Sequence, residues 1–242
     1  MNLIIDVGNT LIKAAIFDKD VLLEKEDFNT NEFMDAFPKW VQSYLKIKHA
    51  IIASVGKLDA LALDYLEQNF ELLKLNQATK MPFSNRYKTP ETLGVDRMAL
   101  VSASVYHFSE KNVLVIDAGS CITYDFITDK NDYLGGAISP GVEMRYRALH
   151  SFTANLPLLK KEEPSSLIGD STKASMHSGV VNGVINEIEG AIETYTQKYS
   201  DLTVILTGGD GKFLSKQLKS SIFANSNFLL EGLNYILQFN LD

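Results

Sequence analysis

An eight-residue pattern occurs twice in this chain and limits its fold more than any other feature. Leu-Ile-Ile-Asp-Val-Gly-Asn-Thr occupies 3–10, and Leu-Val-Ile-Asp-Ala-Gly-Ser-Cys occupies 114–121. Each copy is three apolar strand residues, an Asp-x-Gly turn, a small polar residue and then a second strand. The spacing between the copies is far too long for a solenoid. The reading is a duplicated β-hairpin, one in each half, with two related lobes meeting around a cleft. The short polar stretch Glu110–Asn112 marks the expected boundary, giving lobes at 1–112 and 113–242.

Around the hairpins, short β-branched runs alternate with longer amphipathic segments, the pattern of an α/β chain. Strands are expected at Leu3–Asp6, Leu11–Phe17, Val21–Glu26, Ala50–Ser54, Leu114–Asp117, Ile122–Thr128 and Val204–Thr207. Helices are expected at Asp59–Phe70, at Arg97–Phe108, from near Val142, and over a long segment, Ser175–Tyr199. In the last, Val180, Val184, Ile188, Ile192, Tyr195 and Tyr199 recur at three- and four-residue steps as one apolar stripe, read as core or subunit interface.

Composition removes several classes. With 242 residues and 45% apolar content, the chain can close a sizeable core without a disulfide or metal staple. The balance of 23 Lys+Arg against 30 Asp+Glu, a formal charge of −7, opposes binding to nucleic acid. One cysteine, Cys121, forms no intrachain disulfide, and it reads as a small buried strand residue. Four histidines without ligand-like spacing make a poor zinc site and read as structural or surface residues. The start has no basic region ahead of its apolar run, and no stretch has the length of a membrane span. A cytoplasmic protein is therefore expected.

Nine of the 15 glycines stand at motif positions: 8, 94, 119, 135, 136, 141, 208, 209 and 211. Most follow an apolar run, where the backbone must turn or approach a ligand closely. Asp-x-Gly turns expose N–H groups that can cradle phosphate oxygens. Asp6 and Asp117 would then hold a cation bridging those oxygens, since hard cations prefer carboxylates and water. Lys13, on the strand leaving the first turn, is placed to reach the phosphates; the alternative is a solvated edge lysine. There is neither a G-x-x-x-x-G-K-[ST] loop nor a G-x-G-x-x-G turn after a strand. Thr203–Asp210 reads as a buried strand running into a double glycine that a base or ribose can approach. The segment 87–97 sets Asp96 beside Arg97 after Gly94, at a helix start: either a helix cap with Arg97 pointing outward, or an acceptor for the proton of an attacking hydroxyl beside an anion-binding arginine. Gly169–Thr172 reads as a loop and N-cap, with Thr172 as the candidate cap.

Asp6-Val7-Gly8-Asn9-Thr10, Leu93-Gly94-Val95-Asp96-Arg97, Asp117-Ala118-Gly119-Ser120 and Gly135-Gly136-Ala137-Ile138-Ser139-Pro140-Gly141 occur in this order in the type III pantothenate kinases, which the whole chain resembles. The Gly-x-Asp-Arg and Gly-Gly-x-Ile-Ser-Pro-Gly elements are the more specific; the first hairpin and Thr207-Gly208-Gly209 are shared with the wider superfamily. The resemblance implies a duplicated actin-like (ribonuclease H-like) ATPase fold with a nucleotide cleft between two lobes. It also implies phosphorylation of pantothenate by ATP, the first step of coenzyme A biosynthesis.

By the same resemblance, Asp6, Val7, Gly8, Asn9, Thr10, Leu11, Ile12, Lys13 and Ser120 contact ATP, and Asp6 is a candidate magnesium ligand. Tyr87, Gly94, Val95, Asp96, Arg97 and Thr172 contact pantothenate, with Asp96 as the proton acceptor. Asp117 binds a monovalent cation, K⁺ or NH₄⁺, which the family requires along with Mg²⁺. Many members have Thr where this chain has Ser120, and the hydroxyl is kept. A homodimer is implied, with the stripe from Val180 to Tyr199 as its candidate interface and dimerisation helix. The alternatives are another actin-like small-molecule kinase and a non-catalytic regulator that binds ATP or pantothenate; relatives named Bvg accessory factors were first described as transcription activators.

Overall fold

The computed structural model describes residues 1–8, 11–44, 46–56 and 58–241. In chain order its elements are β1 (Asn2–Val7), β2 (Leu11–Asp18), β3 (Val21–Asn29), α1 (Phe33–Val41), β4 (His49–Ser54), α2 (Ala60–Asn69), β5 (Glu71–Lys74), β6 (Ser84–Asn85), α3 (Val95–His107), β7 (Asn112–Ala118), β8 (Cys121–Ile127), β9 (Asp132–Pro140), α4 (Val142–Ser151), α5 (Thr172–His177), α6 (Gly183–Lys198), β10 (Leu202–Thr207), α7 (Gly211–Ser215), β11 (Phe223–Ala224) and α8 (Phe228–Leu241). Contacts divide the chain into two compact units. The first holds Met1–Ser109, Asn131–Tyr133 and Asn227–Asp242; the second holds Glu110–Lys130 and Leu134–Ser226.

In the first unit the sheet runs β3-β2-β1-β4-β5. β2 lies antiparallel to β1, and β4 lies parallel to it on the other side. All of β1 is buried, because the sheet carries helices on both faces. One face packs Leu3, Ile5 and Val7 against Phe33 and Phe37 of α1 and Leu66 of α2. α8 also belongs to this unit, although the sequence pattern assigns it to the second lobe and provides no helix there. It is held by the buried Asn2–Asn234 hydrogen bond, 2.9 Å, and by Gly232, where a Cβ would stand 1.9 Å from the carbonyl oxygen of Ala99 on α3. Long-range contact, which the polar boundary at 110–112 does not encode, decides this placement.

The second unit repeats the plan. β11-β10-β7-β8-β9 matches β5-β4-β1-β2-β3 strand for strand, with β8 antiparallel and β10 parallel to β7. The duplicated hairpin is thus the centre of a duplicated sheet.

Two expectations for the long helical segment change. A π-helical turn at Ser178–Asn182 interrupts the helix between α5 and α6. There the Ser178 hydroxyl turns away to the carbonyl oxygen of Leu167, at 2.5 Å. The apolar stripe is core: Val180, Val184, Ile188 and Ile192 are buried against Leu114, Ile116 and Val204 of the sheet. Tyr195 and Tyr199 pack on Phe126. From Val180 to Ile192 the stripe is therefore core, while Tyr195 and Tyr199 are only half-buried. Cys121 lies on β8 as expected, but half-buried rather than buried.

Candidate active site

In the first unit, β1 delivers Asp6 and β2 delivers Lys13, paired in register across the hairpin. Opposed residues in adjacent strands project to the same face, and Lys13 Nζ stands 3.9 Å from Asp6 Oδ2. Lys13 is on an inner strand and half-buried, not a solvated edge residue. Asp6 is 7% exposed. Its carboxyl is pushed up to about 6: burial raises it most, Lys13 pulls it down, and Asp96 and Asp27 raise it. Asp6 and Asp96, ninety residues apart in sequence, are therefore electrostatic neighbours.

The turn is held from behind by a residue absent from the motif glycines. The N–H groups of Val55 and Gly56, just after β4, both donate to the Val7 carbonyl oxygen at 3.1 and 3.0 Å. A Cβ on Gly56 would stand 2.2 Å from the Gly8 oxygen, so only glycine lets the end of β4 lie this close. The available signal was positional: Gly56 ends the strand parallel to β1, as Gly208 ends the strand parallel to β7. Val7, Gly8, Leu11 and Ile12 flank the turn, with Val7 and Ile12 buried, whereas Asn9 and Thr10 lie outside the described residues.

α3 begins at Val95 with Gly94 as its N-cap. Asp96 does not cap the helix from outside. Its Oδ1 accepts from the N–H of Arg97 at 2.8 Å, curled over the helix start where a Cβ on Gly94 would stand 2.4 Å away. Arg97 does not point outward either: it is 6% exposed, and its guanidinium lies over the Tyr87 ring at 5.6 Å. Tyr87 stacks on the buried Tyr133 at 6.1 Å. The structure thus gathers Asp6, Lys13 and Asp96 by charge, and Tyr87 and Arg97 by stacking.

In the second unit, β7 delivers the half-buried Asp117, and Ser120 is exposed in the following turn. Gly208 sits at φ +90°, and a Cβ there would stand 2.3 Å from Asp117 Oδ1 and 2.4 Å from the Ala118 oxygen. The carboxylate is therefore packed on the Gly-Gly turn after β10. Thr172 is not the cap of α5. Ser171 is, accepting from the Ala174 N–H at 3.3 Å. Thr172, exposed at the first helical position, instead lies on the wall of an open groove of about 1180 Å³ between α4 and α5.

Among the described residues no group of three or more His, Cys, Asp or Glu forms a metal cage. The donors that are present suit a cation carried on phosphate oxygens and water. The charges of Asp6 and Asp96 oppose one another.

The model of the type III pantothenate kinase family matches residues 2–194. A type III pantothenate kinase of Christiangramia forsetii is 52% identical over 240 residues, covering 99% of each chain. Among solved structures, a Campylobacter jejuni protein described as a Baf family transcriptional activator superimposes with a TM-score of 0.63 at 22% identity, covering 99% of this chain and 98% of that one. A glucokinase from an Antarctic psychrotroph gives 0.53 at 12% identity, with 98% of both chains covered. The two structural likenesses establish the actin-like kinase fold, and that alone.

Proposed function

The chain belongs to the type III pantothenate kinases, and from that membership we propose how its residues divide the work. The reaction is ATP-dependent phosphorylation of pantothenate, in coenzyme A biosynthesis. Phosphoryl transfer of this kind proceeds mainly by positioning and charge stabilisation.

In our reading the first turn, Asp6 through Lys13, binds the ATP phosphates, with Lys13 as a point charge. Asp96 orients the primary hydroxyl of pantothenate and takes its proton. A strong base is not required, because the proton leaves late in a loose transition state. Tyr87, Gly94, Val95 and Arg97 hold the acceptor, and Thr172 completes its contacts. Stacked on Tyr87 and buried, Arg97 has little rotamer freedom left to lose on binding an anion. Ser120 touches ATP. A divalent ion, supplied as Mg²⁺ with ATP, neutralises phosphate charge, and Asp6 is its candidate protein ligand. Asp117 is assigned to a monovalent cation, K⁺ or NH₄⁺. The single observation that carries this reading is the electrostatic closeness of Asp6, Lys13 and Asp96.

We also propose a homodimer in the cytoplasm. Among the described residues no helix is long and apolar enough to cross a membrane. Phe152, Leu167 and Ile168, 77–88% exposed, are apolar surface that a second copy would cover.

The test is ADP release by the purified protein with Mg-ATP, with and without pantothenate, in potassium, ammonium and sodium buffers. Release that requires pantothenate and either potassium or ammonium is the expected result. Pantothenate-dependent release that ignores the monovalent cation refutes the assignment of Asp117. No release in any buffer refutes the catalytic assignments and leaves a non-catalytic binder.

A further inference from the structure

The Gly135–Gly141 element has no part in the assignment above, and its geometry supplies one. Gly141 donates its N–H to the Ser120 carbonyl oxygen at 3.2 Å. A Cβ on Gly141 would stand 2.3 Å from the Gly119 oxygen and 2.5 Å from the Ser120 oxygen. The loop that ends β9 therefore backs directly onto the second Asp-x-Gly turn, with no room for a side chain. Gly136 is pressed as closely onto β8: a Cβ there would stand 1.5 Å from the Tyr124 oxygen.

One side chain ties this loop down. Arg145, one turn into α4, reaches back to the Pro140 carbonyl oxygen through Nε at 2.9 Å and to Ser139 Oγ through Nη2 at 3.0 Å. The same Nη2 donates to Glu187 Oε2 of α6 at 2.6 Å, and the Tyr124 hydroxyl of β8 donates to Glu187 Oε1 at 2.9 Å. Burial by itself would raise the Glu187 carboxyl, yet bonds from Arg145, Ser139 and Tyr124 hold it below its ordinary value. β8, α4, α6 and the loop are thus joined at a single half-buried guanidinium whose planar fork satisfies three acceptors.

We propose that Arg145 is a positioning residue for the nucleotide: it fixes Ser139–Gly141 and, through that loop, the Gly119–Ser120 turn. This rests on the reading that Ser120 serves ATP. Arg145 also borders the groove that Thr172 lines, so direct action on pantothenate is the competing outcome.

Arg145→Gln, Arg145→Lys, Tyr124→Phe and Ser120→Ala are compared by steady-state kinetics in each substrate and by calorimetric binding of Mg-ADP without pantothenate. Arg145→Gln is expected to weaken ADP and raise the KM for ATP about 5–50-fold, the loss of charge-assisted bonds, with the pantothenate KM within about twofold. Arg145→Lys keeps the charge toward Glu187 but not the fork, and falls between Gln and wild type. Tyr124→Phe moves ATP in the same direction by a smaller factor, and decides the matter if Arg145→Gln does not fold. A rise in the pantothenate KM with ATP unchanged overturns the proposal, as does no change in either. If Ser120→Ala weakens nucleotide binding while the Arg145 and Tyr124 variants do not, this inference alone fails. If none of the variants weakens it, the underlying assignment of Ser120 fails as well.

Discussion

Replacing Asp6 with asparagine should make the nucleotide-free, metal-free protein more stable at neutral pH while removing its activity. The folded carboxyl titrates at about 6 against an ordinary 3.8. Between these values the folded state holds a proton that the unfolded state has lost, so stability falls as pH rises from about 4 to 6. Above that range the ionised, buried carboxylate costs roughly 3 kcal/mol, the 2.2-unit difference at 1.36 kcal/mol per unit. Asparagine has the same shape without the charge and does not carry this cost. For a chain of this size the gain corresponds to roughly 6–12 °C in Tm near pH 7.5, shrinking to about a third of that near pH 4.5 and toward zero only below about pH 3.8, where the unfolded carboxyl is protonated as well. Thermal melts of both proteins at the two pH values, without nucleotide or magnesium, make the measurement. A Tm gap that does not change with pH, or an Asp6→Asn protein less stable than wild type at pH 7.5, would refute the reasoning. Under the proposed assignment of Asp6, a cation bound with the phosphates would offset this cost.

The remaining predictions concern single sites. Asp96→Asn keeps an oxygen for the Arg97 N–H, so the fold should stand, while kcat falls by about 10²–10⁴-fold with ATP binding little changed; near-normal turnover would remove Asp96 from its role. The same substitution removes a neighbouring negative charge and should lower the Asp6 pKa, readable by carboxyl NMR. Gly208→Ala forces a side chain into a left-handed backbone and against Asp117, and should lower stability by roughly 1–3 kcal/mol and weaken activation by potassium; an unchanged potassium response would separate this turn from the cation. Ile188→Ala opens a cavity in the second core and should cost about 2–5 kcal/mol in denaturant unfolding. Its mass in sedimentation should match that of wild type, since the stripe faces inward.

The features legible in the sequence were those whose physical cause is local. An Asp-x-Gly between apolar strands specifies its own turn through backbone dihedrals and a few hydrogen bonds, so both hairpins, Asp6 and Asp117 were visible without a third dimension. The duplication was visible for the same reason, because each copy repeats its local causes. Gly94 and Gly141 could be recognised as motif glycines, but not the atoms they make room for. Tertiary structure decided which distant surfaces meet. Gly56 matters only because β4 lies parallel to β1, and the period of the α6 stripe is the same whether it faces a sheet or a second subunit. Arg97 beside Asp96 reads as a surface pair until the Tyr87 ring, itself stacked on Tyr133 of β9, lies against its guanidinium. α8 returns to the first unit because Gly232 and Asn234 fit α3 and β1, and that fit is a property of packed faces that no sequence window contains.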